Sequence, residues 1–447
     1  MKKPPIQLSD HFTYGKLLRF VLPSIAMMIV TSVYSVVDGF FVSNFAGKTA
    51  FAAVNFAMPV LQILCAVGFM LGTGGTALVS KTYGEGDRDR ANRYFSMFVY
   101  VAFTAGVVLA VLGFAFIRPL ARVLGAEEEL LDSCVLYARI FFVALPFYIL
   151  QVMFQSFLVA AEKPKFGLVV TVSAGATNLI LDAVLVVLLP QEYKLAGAAV
   201  ATAIAQTVGG IVPLIFFIRN KNGVLYLCKT GYDGPALLKA CINGSSELMS
   251  NISMSVAGML YNFQLMKYAG ENGVAAYGVM MYVSMIFAAA FMGYSIGVAP
   301  VISYHDGARH YEELRGLLQK SLKLVAIFGV GMLLLGEALA GPLAKIFVGY
   351  DASLLELTVS GFRIFALSFA FMGFGIFGSA FFTALNNGLV SALISFLRTL
   401  VFEVGAVLLL PLVLEQQGIW CSVLAAEVMA TALTAAFMVK LRAKHHY

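Results

Sequence analysis

Residues 25–42 read Ile25-Ala26-Met27-Met28-Ile29-Val30-Thr31-Ser32-Val33-Tyr34-Ser35-Val36-Val37-Asp38-Gly39-Phe40-Phe41-Val42, and they lie within an apolar run from about residue 17 to 43. A helix that crosses a bilayer needs roughly 20 apolar residues, and this run supplies them. It is too long for the core of a signal peptide, and no small-residue cleavage site precedes the next run, so a retained first span is expected. A single carboxylate, Asp38, stands deep inside it.

Eleven similar runs follow, at roughly 50–78, 94–117, 134–160, 166–190, 196–218, 239–266, 273–302, 320–343, 358–385, 389–413 and 418–439. The composition agrees: 60% of the 447 residues are hydrophobic, 12% are charged, and the mean hydropathy is +0.87. Soluble domains are about half apolar and a quarter charged. The reading is an all-α polytopic membrane protein with twelve transmembrane helices. A net charge of +6 does not imply nucleic acid, because the basic residues punctuate loops instead of forming one stripe. Most of them fall on the side that carries the N-terminus, so both termini are expected in the cytoplasm.

The longest polar segment, 219–236, separates two sets of six runs. The halves resemble each other. Phe45-Ala46-Gly47 matches Tyr268-Ala269-Gly270, and Leu78-Val79-Ser80 with Gly84 matches Val301-Ile302-Ser303 with Gly307, all at one constant offset. Arg139-Ile140-Phe141 matches Arg363-Ile364-Phe365, and Asp182 and Pro190 match Glu403 and Pro411, in nearly the same register. Six spans per repeat keep both halves in one orientation. The expected architecture is therefore two pseudo-symmetric six-helix lobes, 1–222 and 223–447, related by an axis along the membrane normal. Such parallel repeats are a transporter device, with the substrate site between the lobes.

A charge at bilayer depth costs about 2.5–3.5 kcal/mol on insertion scales, so residues that bear it are candidates for function. Tyr34 and Asp38 are four apart and share a helix face, as do Asn178 and Asp182, and Thr202 and Gln206. Turned inward, these faces gather two carboxylates, two amides and two hydroxyls. Oxygen-rich sets of this kind suit a hard cation such as sodium. Two adjacent carboxylates out of water also disfavour carrying two charges, which suits a proton. In the second half Glu247 and Asn251 share a face, and Arg398, Glu403 and Glu427 lie on later spans. These are candidates for a path that binds cationic or zwitterionic compounds. Arg398 and Glu403 are five apart, about 140° round an α-helix, so a direct pair is not required. The 37 Phe and 19 Met supply a lining able to re-pack around varied ligands.

Other motifs are refused. Gly72-Thr73-Gly74-Gly75-Thr76-Ala77 fits a dinucleotide fingerprint but lies in an apolar helix with no preceding strand, where small residues serve close helix approach. Gly293-Tyr294-Ser295-Ile296-Gly297 fits a nucleophile elbow, yet all five histidines lie in tails or one loop, and no catalytic set forms. No Walker A pattern occurs. The five cysteines lack paired spacing, so neither disulfide nor zinc is expected.

Val37-Asp38-Gly39-Phe40-Phe41-Val42, Gly74-Gly75-Thr76-Ala77-Leu78-Val79-Ser80 with Gly84-Glu85-Gly86-Asp87-Arg88, Asn178-Leu179-Ile180-Leu181-Asp182 and Gly197-Ala198-Ala199-Val200-Ala201-Thr202 together resemble the multidrug and toxic compound extrusion (MATE) family. The resemblance spans nearly the whole chain. It implies two lobes in a V and export of organic, cationic, drug-like compounds from the cell in exchange for inward sodium or protons. It implies that Asp38, Asn178, Asp182 and Thr202 form an N-lobe cation site with Tyr34 nearby, and that Pro23 lets the first helix bend. Tyr34, Gln206, Glu247, Asn251, Arg398, Glu403 and Glu427 are the substrate-path candidates. The expected partners are small organic substrates and the lipid bilayer, with no nucleic acid and no cofactor beyond the coupling ion. The expected location is the cell membrane, as a monomer. The competing reading is a lipid-linked precursor flippase of the same superfamily. Flippases carry several cavity arginines, whereas Arg398 is the one basic residue placed within a span here.

Overall fold

The computed structural model describes residues 5–123, 126, 128–349 and 351–447, all helix and connecting loop. The basic start of the chain, residues 1–4, lies outside the described residues. Helix α1, Tyr14–Phe41, begins where Thr13 accepts from the backbone N–H of Lys16, and it contains Pro23. Proline removes one helical donor and crowds the preceding turn, which permits a bend there. A π-helical turn, Val42–Ala46, extends α1 to Gly47, whose φ of 98° favours glycine. Then come α2, Lys48–Gly84, α3, Arg88–Val123, α4, Glu128–Ala160, α5, Pro164–Leu188, and α6, Lys194–Arg219.

The polar segment after α6 is docked against α3. Asn92 Oδ1 accepts from Tyr226 N at 2.8 Å, and Ser96 Oγ accepts from Cys228 N at 2.9 Å. Asp233 then caps the long element Gly234–Gly307, which breaks at Gly270 (φ 63°) into α7 (234–269) and α8 (271–307). Helix α9 is Tyr311–Val348. Helix α10 is a bent pair, Ala352–Ala366 and Phe369–Ala384, meeting at 47°. Helix α11 comprises Gly388–Phe396, a π-helical turn Leu397–Glu403, and Val404–Leu409. The last element, Pro411–His445, breaks at Glu415 (φ 50°), and α12 is 416–445.

Ten of these helices are long and apolar enough to span a membrane on their own, and the bent α10 makes an eleventh. Helix α7 is the remaining one of the twelve runs expected from the sequence, and it falls below the apolarity of the others. Its apolar signal is diluted by Asn243, Ser245, Ser246, Glu247, Ser250, Asn251 and Ser253. Several helices outrun their apolar stretches at the end where the termini lie: α2 continues to Gly84 and α8 to Gly307.

The hydrophobic interior has two centres. One joins residues of α2–α6, including Phe95, Phe154 and Phe217. The other joins α7–α12 but also takes Leu17, Phe20, Val21 and Met28 from the first half of α1. The two groups meet through glycines at the termini-bearing end. A Cβ on Gly244 would come 2.7 Å from the Met70 carbonyl carbon, and one on Gly307 would come 2.9 Å from that of Lys81; within the second group, one on Gly293 would come 2.5 Å from Ile25 Cα. Lys81 Nζ donates to Asp306 Oδ2 at 2.7 Å across this seam. The segment 5–13 ties down both groups: Glu162 accepts from Leu8 N at 2.7 Å, and Glu313 accepts from Phe12 N at 2.9 Å.

Candidate functional site

The N-lobe set comes together inside the first bundle. Helix α1 brings Asp38, α5 brings Asn178 and Asp182, and α6 brings Thr202. The Asp38 and Asp182 carboxyl groups face each other, with the Asn178 amide beside Asp38. Asn178 Nδ2 donates to Thr202 Oγ1 at 3.5 Å, a long hydrogen bond. Asp182 is fully buried, and neither of its oxygens has a well-formed hydrogen bond; nor do Asp38 Oδ1 and Asn178 Oδ1. Buried polar groups are almost always satisfied, and these acceptors sit on three neighbouring side chains, where a proton shared between the two carboxyls or a small cation would pair them. Tyr34 packs on Gly175 of α5, where a Cβ would come 3.1 Å from its ring, and it lies beside Gln151. Gln206 is buried in the same bundle with Oε1 unpaired.

Two residues escape sequence reasoning. Tyr137 of α4 is buried beside Thr202 and close to both carboxylates. Gln151, also of α4, stands between Tyr34 and the closely packed Gly209. Neither carries a charge, so neither shows the cost of burial that singles out the acidic residues.

The second-half candidates divide into two places. Glu247 borders a cavity between the lobes. Its walls include Phe69, Thr73 and Thr76 of α2, Ser156 of α4, Met292 and Ser295 of α8, and part of α10. Asn251 shares the Glu247 helix face as the spacing predicts, but its amide donates to the Glu247 backbone carbonyl at 2.8 Å and it is not among the cavity walls. Arg398 and Glu427 form a forked pair, with Nη2–Oε1 2.6 Å and Nε–Oε2 3.0 Å. Glu403 lies within electrostatic reach of both. Gly375 makes room for the guanidinium stem, because a Cβ there would come 3.0 Å from Arg398 Cδ.

The MatE family pattern matches residues 23–184 and 248–408. This chain belongs to the MatE family. The two matched stretches fall one in each half, as the internal repeat requires. The multidrug export protein MepA of Staphylococcus haemolyticus is 26% identical over 293 residues, covering 65% of this chain and 64% of that relative, just under two thirds of its length. MepA of Staphylococcus saprophyticus is 24% identical over 368 residues, covering 80% of each chain. A crystal structure of MATE in complex with MaL6 superposes with a TM-score of 0.93 at 20% identity, over the whole of both chains. The outward-facing conformation of a multidrug resistance MATE family transporter superposes at 0.92, with 20% identity, over 100% of this chain and 99% of that one. At these identities the structural likeness establishes the fold: twelve membrane helices in two lobes.

Proposed function

We propose that this MatE-family protein exports organic, cationic, drug-like compounds across the cell membrane, driven by inward sodium or protons bound between Asp38 and Asp182. The observation that carries this reading is Asp182: wholly buried, both oxygens unpaired, and facing a second carboxylate. An uncompensated pair at that depth is costly. A monovalent cation removes most of the cost, and its arrival or departure therefore changes which lobe arrangement is favoured. No group of three or more His, Cys, Asp and Glu side chains gathers among the described residues. Two carboxylates with an amide and a hydroxyl suit a small hard cation that must leave again more than a tightly held divalent ion.

The cavity between the lobes is where cargo would sit. Glu247 supplies a carboxyl there, and Phe69 and Met292 supply adaptable apolar surface. The MepA relatives, named for multidrug export, support the same substrate class. The excess of Lys and Arg on the termini-bearing side supports cytoplasmic termini, and a monomer suffices because each chain holds both lobes. The flippase reading needs free cationic groups for a phosphate, but Arg398 is already held by Glu427.

The test is efflux of a fluorescent organic cation from vesicles carrying the purified protein, under an imposed sodium gradient and then a proton gradient. Stimulation by one gradient, absent in D38N, is the expected result. Efflux that ignores both gradients would overturn the coupling reading.

A further inference from the structure

The internal repeat places a counterpart of the N-lobe carboxylate site in the second half, and the two are built from different charges. Asp182 corresponds to Glu403 and Gln206 to Glu427, at one shared offset. Tyr261 stands opposite Asp38 in the register that matches Gly47 with Gly270, and it is buried near Glu403 and Glu427. The offset shared by Glu403 and Glu427 pairs Asn178 with Thr399, and Arg398 stands immediately before it. The π-helical turn Leu397–Glu403 absorbs the difference. An α-helix aligns residues four apart, as with Asn178 and Asp182, while a π turn widens the spacing to five, as with Arg398 and Glu403. Arg398 therefore holds the position relative to Glu403 that Asn178 holds relative to Asp182.

The electrostatic consequence is direct. The N-lobe set has two carboxylates, no basic partner, and buried oxygens without hydrogen bonds. The C-lobe set also has two carboxylates, but a guanidinium is fixed among them by hydrogen bonds of 2.6, 3.0 and 3.1 Å to Glu427, which is 5% exposed. Gly375 opens the space the guanidinium stem occupies. The site is thus furnished for its own positive charge.

We infer that Arg398 is a tethered cation that permanently fills the C-lobe counterpart of the coupling-ion site, so the transporter takes up its monovalent ion in the N-lobe alone. With Arg398 in place the C-lobe carries the charge the N-lobe carries only when loaded. One lobe is a switch and the other is fixed in the loaded electrostatic state. The inference rests on the proposed coupling site, and its test separates the two.

The experiment counts monovalent ions bound by the purified full-length chain, with radioactive sodium in alkaline buffer and with proton uptake read by an indicator dye. Four proteins are compared: the parent, D182N, D182N/E403Q and Y261D/R398N/E427Q. The triple variant copies the N-lobe set: it removes the Arg398–Glu427 pair as a unit and leaves Glu403 facing the carboxylate that Y261D introduces. The expected result is one ion per parent chain, none in D182N, and a second ion in the triple variant. A D182N protein that still binds an ion, lost on adding E403Q, would show that the C-lobe site is open despite Arg398 and would overturn the inference, even if the triple variant failed to fold. A folded triple variant that binds no more than the parent would overturn it too. A parent with no Asp182-dependent ion would instead refute the coupling reading, and the gain in the triple variant would still decide the role of Arg398.

Discussion

At the residue scale, two buried charge arrangements carry opposite expectations. Asp182 presents unpaired oxygens in a dry bundle, and an unsatisfied buried polar group costs about 1–3 kcal/mol. D182N removes a charge and adds a donor facing Asp38. It is expected to stabilise the purified protein by about 1–2 kcal/mol, within that range, while abolishing gradient-driven efflux. A melting curve and the vesicle assay check both halves; a D182N protein that melts lower and transports normally would defeat the account. Glu427 is the reverse case. E427Q strands Arg398, and removing one member of a buried pair costs roughly 3–5 kcal/mol, here toward the low end because Glu403 remains near. R398N/E427Q should lose less than E427Q alone; an equal or larger loss in the melting temperature would contradict this. Spacing puts Tyr34 with Asp38, Asn178 with Asp182, and Thr202 with Gln206 on shared faces, because regular α-helices align residues four apart, and the structure gathers Asp38, Asn178, Asp182 and Thr202 in one bundle. The Arg398–Glu427 pair was not legible, since it joins α11 and α12, and the π turn hides the true bearing of Arg398. Tyr137 reaches the site from a fourth helix, and an uncharged aromatic in an apolar run looks like any other packing residue.

At the scale of elements, glycines set how closely helices approach. The backbone around Met70 leaves no room for a side chain on Gly244, and backbone cannot yield as a side chain can. G244L is expected to disfavour the state with the termini-bearing end closed by about 1–3 kcal/mol, which changes its population by roughly 5- to 150-fold. Spin labels at the exposed positions Glu85 and Glu312 would report a longer distance in G244L than in the parent. An unchanged distance would mean these helices do not form the closed seam. The segment 5–13 is a second connecting element. Burial pushes the Glu162 carboxyl above its ordinary value of 4.5, against the Leu8 N–H that favours the charged form. A carboxyl whose folded value is raised loses stability as pH rises through that value. E162Q keeps an acceptor for Leu8 without the buried charge. It should melt higher than the parent at neutral and alkaline pH, and the curves should converge as the pH falls below 4.5. A difference that grows in acid would reverse the sign and refute this reading. Hydropathy located the apolar runs but not their true helical ends, because polar turns continue a helix once it leaves the bilayer. It also underrated α7, where serines and asparagines interrupt the apolar signal.

At the scale of the whole molecule, the internal repeat made the two lobes readable, because duplicated six-span units fold alike and keep one orientation. It did not reveal that the first half of α1 packs with the second core, since that contact crosses between the repeats: Val21 meets Gly297. Such cross-packing makes α1 a natural lever, with its first half, Pro23 included, in one group and Asp38 against the other. Alternating access then requires the seam at the termini-bearing end to part. The Lys81–Asp306 pair spans that seam with side-chain exposures of 28% and 10%. A pair with one partner this accessible contributes about 0–1 kcal/mol, too little to hold the lobes shut. K81C and D306C alone should therefore keep most of the transport. The double variant K81C/D306C, oxidised to a disulfide, should lose it by at least about tenfold, equivalent to about 1.4 kcal/mol, and a reductant should restore it. Full transport by the crosslinked protein would mean that cargo crosses without this seam opening, and the two-lobe mechanism would fail whatever the fate of the ion site.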